Sequence, residues 1–157
     1  MAQKTNVVRL VEQAGFCCEE LFYDYDENDL SGTHAAAAIG CPPEQVFKTL
    51  VVRGAKTGVR VFCIPVCCNL DLKKAATISG EKRVEMVPVK ELLPLTGYIR
   101  GGCSPIGMKK RYPTYIDEIC QLYDWICVSA GQRGHQIRIS PADLISLTQA
   151  KLSDIIV

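Results

Sequence analysis

The chain has 157 residues, of which 48% are hydrophobic and 22% charged, and a formal net charge of +1. A chain of this length buries roughly two-thirds of its unfolded surface and needs no disulfide staple, and a charge so close to zero gives no bulk attraction to DNA or to any other polyanion. Charges interrupt every apolar run well short of a membrane span, and the start, Met1-Ala2-Gln3-Lys4-Thr5, has no apolar leader; the expectation is one domain over residues 1–157, in the cytoplasm and away from membranes.

Asn6 to Ala14 reads as a helix, with Val7, Val8, Leu10 and Val11 as its apolar stripe and Gly15 as its stop. Phe16 to Tyr25 reads as a strand, although Glu19-Glu20 breaks its alternation. Asp24, Asp26, Glu27 and Asp29 then form an acidic stretch without the glycine and closing glutamate of an EF-hand, so a solvated loop is expected rather than a calcium site. Ser31 or Thr33 caps a short helix through Ala35–Ala38, closed by Gly40, and Pro42-Pro43 forces a break. Val46 to Val52 is a β-branched, apolar strand ended by Arg53-Gly54, and Val59 to Val66 is its partner across the turn Ala55–Gly58. Lys48 is a lone charge at the head of that strand, where its amine is partly desolvated.

Asn69 or Asp71 starts a helix that runs through Ala76 to Ser79-Gly80; Val84–Val87 is a short strand, and Pro88 opens a helix from Val89 to Leu93 before Gly97. Tyr98-Ile99-Arg100 is expected as a brief strand leading into Gly101-Gly102-Cys103-Ser104-Pro105-Ile106-Gly107. Three glycines and a proline in seven residues exclude a strand or helix interior. Such a segment is either a tight connection or a rigid cradle that presents backbone N–H groups to a phosphate, a sugar or an oxyanion. Pro113–Ile116 resumes extended structure, Asp117–Tyr123 is a helical turn or two, and Trp125–Ser129 is a buried strand entering a second glycine loop, Ala130–Gly134. Gln136–Ile139 is a further strand, and Ser140-Pro141-Ala142-Asp143 carries the N-cap, N1 proline and N3 acid of a helix start. The fold class is α/β of the mixed α+β kind: a mixed, barrel-like sheet flanked by short helices.

Nine cysteines occur without any C-x-x-C spacing, and the adjacent pairs Cys17-Cys18 and Cys67-Cys68 are awkward as joint metal ligands. Most are read as small hydrophobes in a reducing compartment, with no metal and no cofactor implied. Basic residues cluster at Lys109-Lys110-Arg111, directly after the glycine loop, and at Arg133 in the second loop.

Four segments occur in order: Val46-Phe47-Lys48-Thr49-Leu50, Leu70-Asp71-Leu72-Lys73-Lys74, the Gly101–Gly107 loop, and Ser129-Ala130-Gly131-Gln132-Arg133-Gly134. On these the chain resembles the YbaK/EbsC family, free-standing relatives of the editing domain inserted in bacterial prolyl-tRNA synthetases, from about Phe16 through the C-terminal helix. The resemblance implies hydrolysis of a mischarged aminoacyl-tRNA, above all Cys-tRNA(Pro), with that tRNA's acceptor end as partner and a prolyl-tRNA synthetase as a candidate second one. It gives Lys48 and Thr49 the catalytic positions. Gly101, Gly102, Ser104, Pro105 and Gly107 fall in the loop that receives the 3′-terminal nucleotide. Tyr23, Ser129, Gly131 and Gln136 line the pocket, and Lys109, Lys110 and Arg133 contact the tRNA.

Ester cleavage needs a nucleophile, oxyanion stabilisation and help for the departing ribose oxygen. Lys48 either positions the substrate as a cation or, with a lowered pKa, acts as a base; positioning is favoured. Cys103 occupies the variable position of the loop, and the resemblance implies that the substrate's own thiol is the nucleophile. Close Cys-deacylase relatives carry an Asp where this chain has Gln136, which leaves a deacylase for another small amino acid, or a binding module without turnover, as alternatives. His135 is expected as a surface residue at a strand start rather than as a proton shuttle.

Overall fold

A computed structural model describes residues 4–157. In chain order the elements are α1 (Asn6–Gln13), β1 (Glu19–Phe22), α2 (Gly32–Ile39), β2 (Phe47–Gly54), β3 (Gly58–Pro65), α3 (Leu72–Ser79), β4 (Val84–Met86), α4 (Val89–Thr96), β5 (Thr114–Asp117), β6 (Ile126–Gln132), β7 (His135–Ile139), α5 (Pro141–Thr148) and β8 (Lys151–Ser153). Helix boundaries follow the capping chemistry. Thr5, Ser31, Asp71 and Ser140 each accept a hydrogen bond from a first-turn N–H, and Gly40, Gly80 and Gly97 end their helices in the left-handed conformation.

The strands form two sheets. One has the order β1-β7-β6, the other β4-β2-β3-β5-β8. Among the described residues one parallel bridge, between Val46 and Cys127, joins them, so the mixed sheet curves without closing into a barrel. β2 and β3 pair antiparallel over their full lengths from Phe47–Pro65 to Gly54–Gly58, whereas β5 joins β3 and β8 joins β5 in parallel. The main core lies between the β6–β7 sheet and helices α1 and α5, around Val7, Val11, Val128, Ile137, Ile139 and Leu144. A second cluster packs α3 against β2 and β3 through Val52, Phe62, Ile64 and Ala75. Cys63 and Cys120 belong to the first core, and Cys41 and Cys127 help join the sheets; all four are buried free thiols, used as small hydrophobes.

Three local expectations are corrected. Tyr98–Arg100 is not a strand: the Tyr98 hydroxyl donates to the Ile106 carbonyl, Tyr98 N–H donates to Thr96 Oγ1 at 3.1 Å, and Gly102 N–H donates to the Ile99 carbonyl at 3.0 Å, so the segment turns on itself. The first strand is only Glu19–Phe22 because its partner, β7, is five residues long and the register runs only from Glu19–Arg138 to Phe22–His135. β8 has no counterpart in the sequence reading, since three residues are too few to show a period.

One consequence of the topology prepares the site. β4 pairs only with Val52–Gly54, so the edge of β2 from Lys48 to Leu50 that faces away from β3 has no strand partner among the described residues. The β6–β7 sheet is joined to the chain just before β2 by the Val46–Cys127 bridge below it. A gap opens between the two sheets at this point.

Candidate active site

That gap is a cleft of about 390 Å³. β2 supplies Phe47 to Val51 along one wall, with Lys48 and Thr49 half-buried at its centre. Ser129 of β6 and Gln136 of β7 are cross-strand partners and line the cleft from the other sheet. Tyr23, just past β1, adds its ring; its backbone N–H donates to the Gly134 carbonyl at 3.0 Å, and burial pushes its phenol pKa upward. The start of α2 closes one end with Ser31, Gly32 and Thr33. Ser31 is pinned there by Asp29, whose Oδ1 accepts from the Ser31 hydroxyl at 2.7 Å. Gly32 is required by contact: a Cβ would lie 2.3 Å from Val66 Cγ1. Met86, Val87, Val89 and Leu92 form an apolar wall opposite.

The glycine loop divides between two places. Arg100, Gly101 and Cys103 line the cleft. Gly102 N–H is held by the Ile99 carbonyl, and Ser104, fully buried, accepts at Oγ from Ile106 N–H at 3.2 Å. Gly101 and Cys103 both line the cleft, and their N–H groups make no hydrogen bond among the described residues. Pro105, Ile106 and Gly107 instead line a second cleft with Leu10, Lys110 and Arg111. Gly107 serves packing, since a Cβ there would sit 3.0 Å from both Leu10 Cδ1 and the Tyr98 hydroxyl. Gly131 likewise lies against Tyr98, in a bulge where its N–H donates to Ser129 Oγ at 3.1 Å.

Of the sequence-designated residues, the fold therefore brings Tyr23, Lys48, Thr49, Gly101, Ser129 and Gln136 to one cleft. Gly102 and Ser104 hold the loop's shape behind it, while Pro105, Gly107 and Gly131 point elsewhere. Lys109 and Lys110 are exposed, outside the Lys48 cleft. Arg133 Nε donates to the Arg100 carbonyl at 2.9 Å and so ties the second loop to the first. Sequence reasoning missed Arg100, Ser31, Thr33 and the apolar wall. Only Arg100, adjacent to the glycines, carried any signal; the others are ordinary residues placed by tertiary contacts.

His135 is not at the surface. It is 2% exposed, stacked on Phe22 with ring centroids 4.2 Å apart, and held between Gln132 Nε2 at Nδ1 and Glu20 Oε1 at Nε2, each at 3.0 Å. Burial pushes the Cys103 thiol up to about 12, with a smaller opposing effect from Thr96, which removes thiolate character near neutral pH. Lys48 and Arg100 are the charged side chains of the cleft, and no Asp or Glu lines it among the described residues. Among the described residues no group of three or more His, Cys, Asp or Glu is placed to hold a metal ion, and no helix is long and apolar enough to cross a membrane.

Residues 30–147 match the family described as the aminoacyl-tRNA editing domain. A protein of Enterococcus faecalis assigned as a Cys-tRNA(Pro)/Cys-tRNA(Cys) deacylase, EbsC, is 49% identical over 153 residues, which span 98% of this chain and 93% of the relative. A crystal structure described as a trans-editing enzyme for prolyl-tRNA synthetase superposes with a TM-score of 0.86 at 27% identity, covering 100% of this chain and 99% of that one. The fold alone is shared with a hypothetical protein at 23% identity and a TM-score of 0.86, over 96% of this chain and 99% of that one.

Proposed function

The chain belongs to the aminoacyl-tRNA editing domain family, and from that membership we propose that it acts as a single trans-editing domain that deacylates Cys-tRNA(Pro). The observation that carries this reading is the convergence of Lys48, Thr49 and the head of the glycine loop on one cleft large enough for a terminal nucleoside and a small acyl group. Such an enzyme works in the cytoplasm, where tRNA is charged, and a prolyl-tRNA synthetase is its natural partner.

In this reading the acceptor end enters over the apolar wall, and its terminal ribose rests against the Gly101 amide. Lys48 binds the terminal phosphate or the ester's carbonyl side as a positioning cation. The substrate's thiol sulfur forms a bond to its own carbonyl carbon, and the bond from that carbon to the ribose oxygen breaks. The thiol proton passes to the departing oxygen, leaving a free tRNA 3′ end and a cyclic thioester that water opens to cysteine. The amides of Gly101 and Cys103, two residues that line the cleft, are the donors this reading assigns to the oxygen that becomes negative between these steps. With the Cys103 thiol held protonated, no thiol of the enzyme is asked to attack.

The direct test is hydrolysis of purified Cys-tRNA(Pro) beside Ala-tRNA(Pro) and Pro-tRNA(Pro). Rapid loss of the cysteinyl ester alone is expected. Tight binding of tRNA without hydrolysis of any ester would replace the enzyme by a binding module.

A further inference from the structure

The charge of the cleft carries a consequence that rests on the deacylase reading. An aminoacyl ester presents an α-amino group, and an α-ammonium entering a partly desolvated site calls for a carboxylate or a set of acceptors. The titratable side chains that line the cleft are Tyr23, Lys48, Arg100 and Cys103. Acids on the surrounding elements, including Asp24, Asp26 and Glu27 of the exposed loop between Tyr23 and Leu30, do not line the cleft. Asp29 accepts from Ser31 N–H and hydroxyl and faces His34 at 3.5 Å. Glu91 of α4 pairs with Arg53 at 2.8 Å, Glu85 of β4 lies 3.8 Å from Arg83, and Glu20 of β1 holds His135. Asp117 is buried, accepting from Ile119 and Ile155 N–H. On the β7 side of the cleft stands Gln136, 7% exposed, whose Oε1 is buried without a partner. Turning the amide exchanges its oxygen and nitrogen, so Gln136 offers the cleft a donor or an acceptor but never a counter-charge.

We infer that the cleft takes the substrate's α-amino group as the neutral amine and does not use it for recognition, so acyl groups that lack the amine fit the same site. Lys48 and Arg100 disfavour an ammonium beside them, which lowers the amine's pKa on binding from a free value of about 7.7–8.0. A base whose bound pKa lies below its free pKa binds best above the free value, and its affinity falls as pH drops through that value. Specificity then rests on the acyl side chain and the ribose.

The test uses acceptor-stem minihelices ending in 3′-amino-3′-deoxyadenosine, amide-linked to cysteine or to 3-mercaptopropionate, which is cysteine without its amine. Both resist hydrolysis, so affinity is read free of ester reactivity. At about pH 6 the desamino ligand is expected to bind about fiftyfold more tightly; between pH 6 and about pH 8.5 the cysteinyl ligand gains about fiftyfold while the desamino ligand stays level. Gln136→Glu places a carboxylate in the cleft and reverses the preference at pH 6. Tighter binding of the cysteinyl ligand to the wild-type protein at pH 6, or an order of affinities that a folded Gln136→Glu protein leaves unchanged, overturns the inference and leaves the deacylase reading standing. Failure of both ligands to bind overturns the two together.

Discussion

Arg133 reaches back from the β6–β7 turn and donates from Nε to the backbone carbonyl of Arg100 at 2.9 Å. The two glycine loops, about thirty residues apart in sequence, are thereby one unit, and the residue whose carbonyl is held is the one that leads into Gly101 and lines the cleft. A second contact tightens the same junction. A Cβ on Gly102 would lie 3.0 Å from Arg133 N, Gln132 C and Gln132 Cα, all backbone atoms.

Arg133→Ala is expected to reduce kcat/KM about fivefold to tenfold, the worth of roughly 1–1.4 kcal/mol for one exposed hydrogen bond, with a fall of only about 2–5 °C in melting temperature. Arg133→Lys does not restore it, because an ammonium cannot reproduce the guanidinium geometry. Steady-state kinetics beside thermal melts decide this, and full activity in the alanine variant would remove the tie from the account.

Gly102→Ala is expected to lower stability by about 1–3 kcal/mol, since the neighbours it meets are backbone and cannot swing away. Gly15→Ala is the comparison: φ is +82° there and no atom lies within 4 Å, so only the left-handed backbone is penalised, by about 1–2 kcal/mol. Denaturant titrations give both costs. Activity separates the two variants, falling in Gly102→Ala, where both loops shift, and holding in Gly15→Ala.

Lys48→Ala is expected to lose at least about a hundredfold in kcat/KM, as removal of a positioning group at the reacting centre does, while Cys103→Ala stays within about threefold. The pH profile adds a sign. Burial disfavours the Cys103 thiolate and moves its ionisation up to about 12, so no rise in rate through the ordinary thiol range belongs to this residue. The profiles of wild type and Cys103→Ala should superimpose between pH 6 and 9. An inactive but folded Cys103→Ala would end the substrate-thiol mechanism.

His135→Ala removes a buried ring, its stacking on Phe22 and two hydrogen bonds, and is expected to cost about 2–4 kcal/mol. At a temperature where the variant remains folded, kcat is expected to fall less than about threefold. A large loss of kcat with intact stability would return His135 to the chemistry as a proton carrier.

Lys109→Ala and Lys110→Ala test the remaining basic residues. Both side chains are exposed, and Lys110 borders the second cleft. If each neutralises one phosphate, tRNA affinity falls and the slope of log K against log salt flattens by about 0.7–0.9 per contact. Unchanged binding would assign them to a solvated surface.

The sequence by itself determined much of the local structure and named six residues that the fold brings to one cleft. The helix start at Ser140, the starts at Ser31 and Asp71 to within two residues, and the stops at Gly40, Gly80 and Gly97 were legible, because capping is short-range chemistry between residues a few positions apart. The β2–β3 hairpin was legible for the same reason, and Lys48 stood out as a charge in an apolar strand. Tertiary structure decided what no local pattern encodes. The Gly101–Gly107 loop is divided between two clefts because its second half packs on Leu10 and Tyr98. His135 is interior because β1 brings Phe22 and Glu20 across it. The cleft lies where β4 stops short along β2, and its lack of a carboxylate among the described residues is a property of eight separate segments that share one space only after folding. Periodicity and capping act over a few residues, whereas the charge of a cavity is a sum over residues that are neighbours only after folding.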